Sequence, residues 1–191
     1  MEAIYDKLQT HLTLGEIAAR LGIAIVFGGL LGLNREWLHK PAGLRTHILV
    51  ALASATFAVL ARELFLDAVD EGGRPDPVRV VEAVVTGVAF LGAGTIIQQS
   101  GSVEGMTTGA SIWLAGAIGV AAGSGHFVVA GMTTLMGLVV LILVNELERR
   151  VIRPLSRRTP EGRRALEKKR RREEAYDKDG AKSTFPLRPK E

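Results

Sequence analysis

The chain of 191 residues contains no cysteine, four histidines and only 5% aromatic residues. Without cysteine there is no disulfide-stapled secreted scaffold, and without a Cys pair or a His-x-x-x-His spacing, His39 and His47 are weak candidates for a softer metal. No HExxH, no phosphate-binding glycine loop and no nucleophile with a neighbouring base can be read from it, so an enzyme is disfavoured. Charge is also scarce, at 23% against 47% hydrophobic residues, with a mean hydropathy of +0.21. That excludes a disordered chain, and 22 aperiodic glycines exclude a collagen-like one.

What the chain does have is long apolar runs. Residues 17–33 are apolar or glycine apart from Arg20, residues 80–97 apart from Glu82, Thr86 and Thr95, and residues 127–144 are interrupted only by two threonines. These reach the roughly 17–25 residues that cross a ~30 Å hydrocarbon core. Residues 44–61 and 107–123 are more marginal, because the first opens with Arg45 and His47 and the second with polar residues. The expected fold is all-α, a polytopic membrane bundle of about five helices. A count of four, with one short segment re-entrant or interfacial, is the alternative. A soluble chain of this length could not wrap five such helices. The expected organisation is a polar N-terminal segment at 1–16, a transmembrane domain at 17–147 and a charged cytoplasmic tail at 148–191, largely disordered or a solvated helix.

Charge is segregated along the chain. Residues 145–191 hold 16 of the 24 Lys and Arg and 9 of the 20 Asp and Glu, a net of +7, whereas the rest carries −3. The excess that lifts the pI to about 9.7 is therefore a terminal run, read as a contact with anionic lipid at about 1 kcal/mol per basic residue rather than with nucleic acid. With five spans, ten Lys and Arg near span ends share the side of the tail, against Lys7, Arg62, Arg74 and Arg79 on the other. The positive-inside rule then puts the N-terminus outside and the tail inside the bacterial inner membrane.

Glycines recur one helical turn apart, at Gly28 and Gly32, Gly105 and Gly109, and Gly119 and Gly123. Such spacing lets helix backbones approach where lipid supplies no hydrophobic drive, within one chain or between copies. Shifting the chain by 62 residues aligns Gly32, Gly43 and Thr46 with Gly94, Gly105 and Thr108, and Leu52, Ala53 and Ala55 with Leu114, Ala115 and Ala117. The pattern reads as a parallel two-helix repeat with both polar loops on one side.

The ordered motifs Gly32-Leu33-Asn34-Arg35-Glu36, Gly43-Leu44-Arg45-Thr46-His47, Thr86 to Ile97 with its Phe90-Leu91-Gly92-Ala93-Gly94 core, and Gly105-Met106-Thr107-Thr108-Gly109-Ala110-Ser111-Ile112-Trp113 resemble those of the MgtC/SapB family of bacterial inner-membrane proteins. The resemblance covers about residues 15–145. It implies a role in growth at low magnesium, some members carrying a magnesium-transport label and others resembling regulators of membrane proteins. This chain departs from the family at Gln98-Gln99 and Glu104, where members often have arginine, and at Glu82, where many have glutamine. It also resembles the short form, since residues 149–191 are too polar to make the soluble domain that ends longer members.

Polar groups at span ends are the candidate site: Asn34, Arg35, Glu36, Arg45, Thr46, Glu82, Glu104, Thr107 and Thr108, with Gly28, Gly32, Gly92, Gly94, Gly105, Gly109, Gly119 and Gly123 as packing positions. Such groups are costly in a bilayer and pair or face a cavity. Arg35 or Arg45 is expected either to clasp Glu36 across a short hairpin or to help hold a ligand. Glu82 either snorkels or is a functional carboxylate. Mg²⁺ would need one or two carboxylates with retained waters, which Glu36 and Glu104 could supply, although the arginines compete for Glu36. The expected partners are the bilayer, the chain itself and other membrane proteins. The expected function is regulatory, in magnesium homeostasis or stress adaptation; transport of Mg²⁺ or another cation is the alternative.

Overall fold

The computed structural model describes residues 10–99 and 102–147. Among them are five helices, α1 (Leu14–Trp37), α2 (Leu44–Asp70), α3 (Val78–Ala93), α4 (Met106–Gly123) and α5 (Phe127–Leu147), with an antiparallel hairpin of two three-residue strands, β1 (Ile97–Gln99) and β2 (Ser102–Glu104), between α3 and α4. The expected tail at 148–191 lies outside the described residues.

The start of α1 is set by its sequence. Thr13 caps it, accepting at Oγ1 from the Glu16 N–H while the Glu16 carboxylate accepts from the Thr13 N–H, a reciprocal pair that satisfies two otherwise orphaned donors. The helix thus begins at Leu14, three residues before the expected boundary. Just ahead of it, the Glu63 carboxylate near the end of α2 accepts from the N–H groups of His11 and Leu12 at 2.6 and 3.1 Å, and His11 Nε2 meets Asp67 at 2.8 Å. These bonds pin the start of α1 to the end of α2.

Contact density divides the chain between Val139 and Val140. Within residues 1–139, glycine contacts and buried side chains define the helix directions. Gly28 lies against His47 and Ala51, and Gly32 against Leu44 and His47, so α1 and α2 are antiparallel. Gly119 packs on Ala51 and Ser54, and Gly123 on Ala55, so α2 and α4 run parallel. Gly92 meets Gly109 and Val88 meets Gly116, making α3 antiparallel to α4. Successive helices therefore alternate in direction. One end of the bundle gathers the end of α1, the start of α2, the end of α3 and the start of α4. The core is made of small residues, with Ala24, Ala51, Ala55, Ala115 and Ala122 all fully buried beside Leu31, Ile112 and Ile118. In the second unit, the described residues are the last turns of α5, where Val140, Ile142, Leu143, Val144 and Leu147 are exposed.

Four helices, α1, α2, α4 and α5, are long and apolar enough to cross a membrane. Two of the three clear runs keep their standing, the run at 80–97 loses it, and the two marginal runs gain it. The run beginning at residue 44 becomes the longest helix, 27 residues or about 40 Å, while the run at 80–97 gives a helix of 16 residues, about 24 Å. The cause lies at Gly94: α3 stops there, Thr95 returns its hydroxyl to the Gly92 carbonyl at 2.7 Å, and Ile97 pairs with Glu104 in the hairpin. Backbone pairing takes over apolar residues that hydropathy assigned to the helix. Even so, α3 lies along α4 from Gly92 to Val84, the latter sharing a cluster with Val120.

The 62-residue offset superimposes the N-caps of the parallel helices α2 and α4, Gly43 and Gly105. Their preceding helices, 24 and 16 residues, are not equivalent in length. The two caps also need glycine for different reasons. Gly105 has φ +90°, a left-handed conformation that costs a side-chain-bearing residue roughly 1–2 kcal/mol. Gly43 has φ −110°, but the Glu36 carboxylate occupies the place of a Cβ.

Candidate functional site

Arg35 and Glu36 are neighbours in sequence, about 100° apart around α1, and consecutive helix residues do not face each other. Arg35 turns inward, is 3% exposed, and donates from Nη2 to Thr108 Oγ1 at 2.8 Å. Glu36 turns to the start of α2 and accepts from the Leu44 N–H at 3.0 Å, capping a helix whose N-cap glycine has no side chain to do so. No ion pair joins Glu36 to Arg35 or Arg45 among the described residues. The expected arginine–glutamate clasp is therefore replaced by two separate contacts, one to each of two helix N-terminal turns.

A polar line continues from Thr108 into the bundle. His47, fully buried, places Nδ1 2.8 Å from the Gly43 carbonyl and Nε2 3.1 Å from Ser111 Oγ, while Ser111 Oγ is 2.8 Å from the Thr108 carbonyl. The Gly43 carbonyl only accepts, so Nδ1 carries a proton. If the ring is neutral, Ser111 donates to Nε2; if it is protonated, Nε2 donates and Ser111 turns to the Thr108 carbonyl. The ring's charge is thus coupled to a hydroxyl one helical turn from the Arg35 contact.

At the other end of α4, Arg20 is buried and donates from Nη1 to the Gly123 carbonyl at 2.7 Å, its guanidinium packed where Gly125 would carry a Cβ. Sequence reasoning noted Arg20 only as an interruption of an apolar run, weighed His47 only as a weak metal ligand, and left Ser111 and Glu63 out of the site. The usable signal for Arg20 was its placement 15 residues before Arg35, which puts the two only about 60° apart around α1.

The remaining expected residues are dispersed. Arg45, Glu104 and Thr107 are exposed, Thr46 and Asn34 half-buried, and Glu82 is exposed on α3, whose inward face is Val84, Val88 and Gly92. Among the described residues no group of three or more His, Asp or Glu could hold a metal ion. Glu36, one of the two carboxylates considered for Mg²⁺, is committed to the Leu44 N–H. Of the glycines, Gly28, Gly32, Gly92, Gly109, Gly119 and Gly123 sit at helix contacts, whereas Gly94 and Gly105 terminate helices. An apolar crevice of about 270 Å³ opens elsewhere, between α2, α3 and α4 by Phe65, Val80, Val84 and Val120, with Arg62 and His126 on its lining.

Relatives of this chain carry names that bear on its role. It is 38% identical over 139 residues to the Escherichia coli K12 protein called "Putative magnesium transporter YhiD", covering 72% of this chain and 64% of that one. It is 38% identical over 142 residues to "Protein MgtC" of Brucella abortus, covering 74% and 55%. An uncharacterized protein of Haemophilus influenzae is 36% identical over 146 residues, covering 74% and 61%. The match thus spans less than two thirds of these relatives' own lengths. No solved structure matches the chain. The model of the MgtC family matches residues 21–150, and with its four long apolar helices the chain is a multi-pass bacterial membrane protein that belongs to the MgtC family.

Proposed function

We propose that this chain is a regulatory or interaction protein of the bacterial inner membrane, acting in magnesium homeostasis rather than carrying the ion, and that it is not an enzyme. The observation that carries this reading is the charge of the bundle interior. Among the described residues its buried ionisable groups are Arg20, Arg35, His47 and Glu63, and the Glu63 carboxylate is occupied by two backbone N–H groups. Mg²⁺ demands oxygen ligands and gives up its waters reluctantly, so an interior bracketed by two guanidinium groups repels this cargo. Small-residue contacts at Gly28, Gly119 and Gly123 close the helices on each other. Large apolar side chains of α3 and α5, including Val81, Phe90, Leu91, Val128 and Leu135, face outward, where lipid, another copy or another membrane protein can meet them. The count of basic residues near the span ends favours an N-terminus outside and a tail inside, where its basic run would meet anionic lipid.

Transport remains the second reading because the Escherichia coli relative bears a transporter name. The purified chain in liposomes loaded with a Mg²⁺-sensitive dye separates the two. Regulation predicts Mg²⁺ entry no faster than in empty liposomes, and saturable entry abolished by heat denaturation would overturn it.

A further inference from the structure

The most unusual group in the molecule is Arg35. Its guanidinium is permanently charged, 3% exposed, and spends one donor on Thr108. Nε is buried with no hydrogen-bond partner. Glu36, the carboxylate next to it in sequence, turns instead to the Leu44 N–H. Burying an uncompensated charge is strongly unfavourable, and buried donors without partners call for an ion or water to satisfy them. The location adds to the imbalance. Thr108 is the third residue of α4, an 18-residue helix whose N-cap, Gly105, offers no side-chain acceptor, so first-turn N–H groups and the positive end of the helix dipole share the neighbourhood with the guanidinium. The nearby start of α2 contributes the exposed Arg45, and the short loop before it the exposed Lys40 and His39.

From this we infer that the end of the bundle around Arg35 and the first turn of α4 is a binding site for a phosphate oxyanion. The guanidinium supplies a planar donor fork matched to phosphate oxygens, and the helix N-terminus supplies aligned dipoles. Headgroup depth makes phosphate the anion at hand: two residues beyond Arg35, Trp37 is 81% exposed, as interfacial aromatics are. The same chemistry is offered by a free phosphate ion and by an anionic lipid headgroup. The site goes beyond the regulatory reading and does not rest on it, since a phosphate-occupied Arg35 is compatible with either outcome of the Mg²⁺ flux measurement.

The test uses the full chain with ¹⁵N-labelled arginine, the Arg35 Nε–H resonance being assigned by its loss in Arg35→Lys. In maltoside micelles, inorganic phosphate replaces chloride at constant ionic strength; separately, the chain is placed in phosphatidylglycerol nanodiscs without added phosphate. Movement of the Arg35 resonance in micelles supports a site open to free phosphate, and movement only in nanodiscs supports a headgroup site. A resonance unmoved by either overturns the proposal. As a second measure, phosphate should raise Tm with the logarithm of its concentration in the parent chain and in Arg45→Gln, and leave Arg35→Gln unaffected. An equal response in Arg35→Gln would also overturn it. Should Arg35→Gln fail to fold, the parent resonance alone decides.

Discussion

Replacing Gly28 by alanine asks how closely α1 and α2 must approach. A Cβ there would stand 2.6 Å from Ala51 Cβ and 2.8 Å from the His47 carbonyl oxygen. Carbon atoms rest at about 3.5–4.0 Å, and neither neighbour is the free end of a flexible side chain, so the helices must separate by roughly 1 Å. Overpacking of this kind costs about 1–3 kcal/mol. Alanine also gains up to ~1 kcal/mol of helix propensity over glycine, which would mask part of the cost. Gly22 on the same helix removes the ambiguity, because a Cβ there meets nothing within 4 Å. Both variants gain the same propensity, so the stability of Gly22→Ala minus that of Gly28→Ala isolates the clash, about 1–3 kcal/mol. Gly32→Ala meets Leu44 Cα at 2.8 Å and the His47 Cβ at 3.0 Å, one turn along the same contact. Moving α1 back once relieves both clashes, so the Gly28/Gly32 double variant should cost less than the sum of the singles. Unfolding in mixed micelles by titration with SDS, followed by far-ultraviolet circular dichroism, measures all four. Equal stability of Gly28→Ala and Gly22→Ala within about 0.5 kcal/mol would refute the close approach.

Three further outcomes are expected. Glu36→Ala removes the acceptor of the Leu44 N–H and should destabilise by about 0.5–2 kcal/mol, as loss of a helix cap does. Combined with Arg45→Ala the losses should add within about 0.5 kcal/mol, and a coupling above ~1 kcal/mol would restore an ion pair between them. Gly105→Ala meets both a positive φ and the Thr95 carbonyl and should lower Tm more than Gly94→Ala, whose nearest neighbour is 3.3 Å away; the reverse order would show that the α4 N-cap tolerates a side chain. Since the chain has no native cysteine, single cysteines at Gly73 and Ser183 report topology cleanly, and an impermeant maleimide added to whole cells should label the first and spare the second.

How far the sequence carries depends on whether a contact is local. The contacting glycines were legible because a missing Cβ is itself the signal for close approach, and five helices were legible because each apolar run is continuous. The short third helix was not, since Ile96 and Ile97 look identical to hydropathy whether they extend a helix or enter a turn and a strand. Only the pairing of Ile97 with Glu104 across the hairpin decides it. For the polar cluster, sequence adjacency misled. Arg35 and Glu36 suggested a local pair, but helix geometry sends them to different neighbours, and the true partner of Arg35 lies 73 residues away. The 62-residue offset gave a partial hint, because it flagged Thr108 and aligned the two helix starts that converge with the end of α1 on one end of the bundle.

The two buried arginines of α1 stand at opposite ends of α4, and electrostatics treats them oppositely. Arg20 reaches the Gly123 carbonyl, at the negative end of the α4 dipole, where a cation is favoured by about 0.3–1 kcal/mol and a C-terminal carbonyl needs a donor. Its burial is thereby explained by structure alone. Arg35 stands at the positive end, where the same dipole repels it, and its contact is a hydroxyl that brings no charge. Were arginine needed only to hold α1 against α4, a neutral donor would bond Thr108 without the electrostatic penalty. An unfavourable charge kept in a packed place calls for a compensating partner, the role given above to the proposed oxyanion. The same argument sets the sign of the missing partner, because a cation there would deepen the repulsion and an anion relieves it.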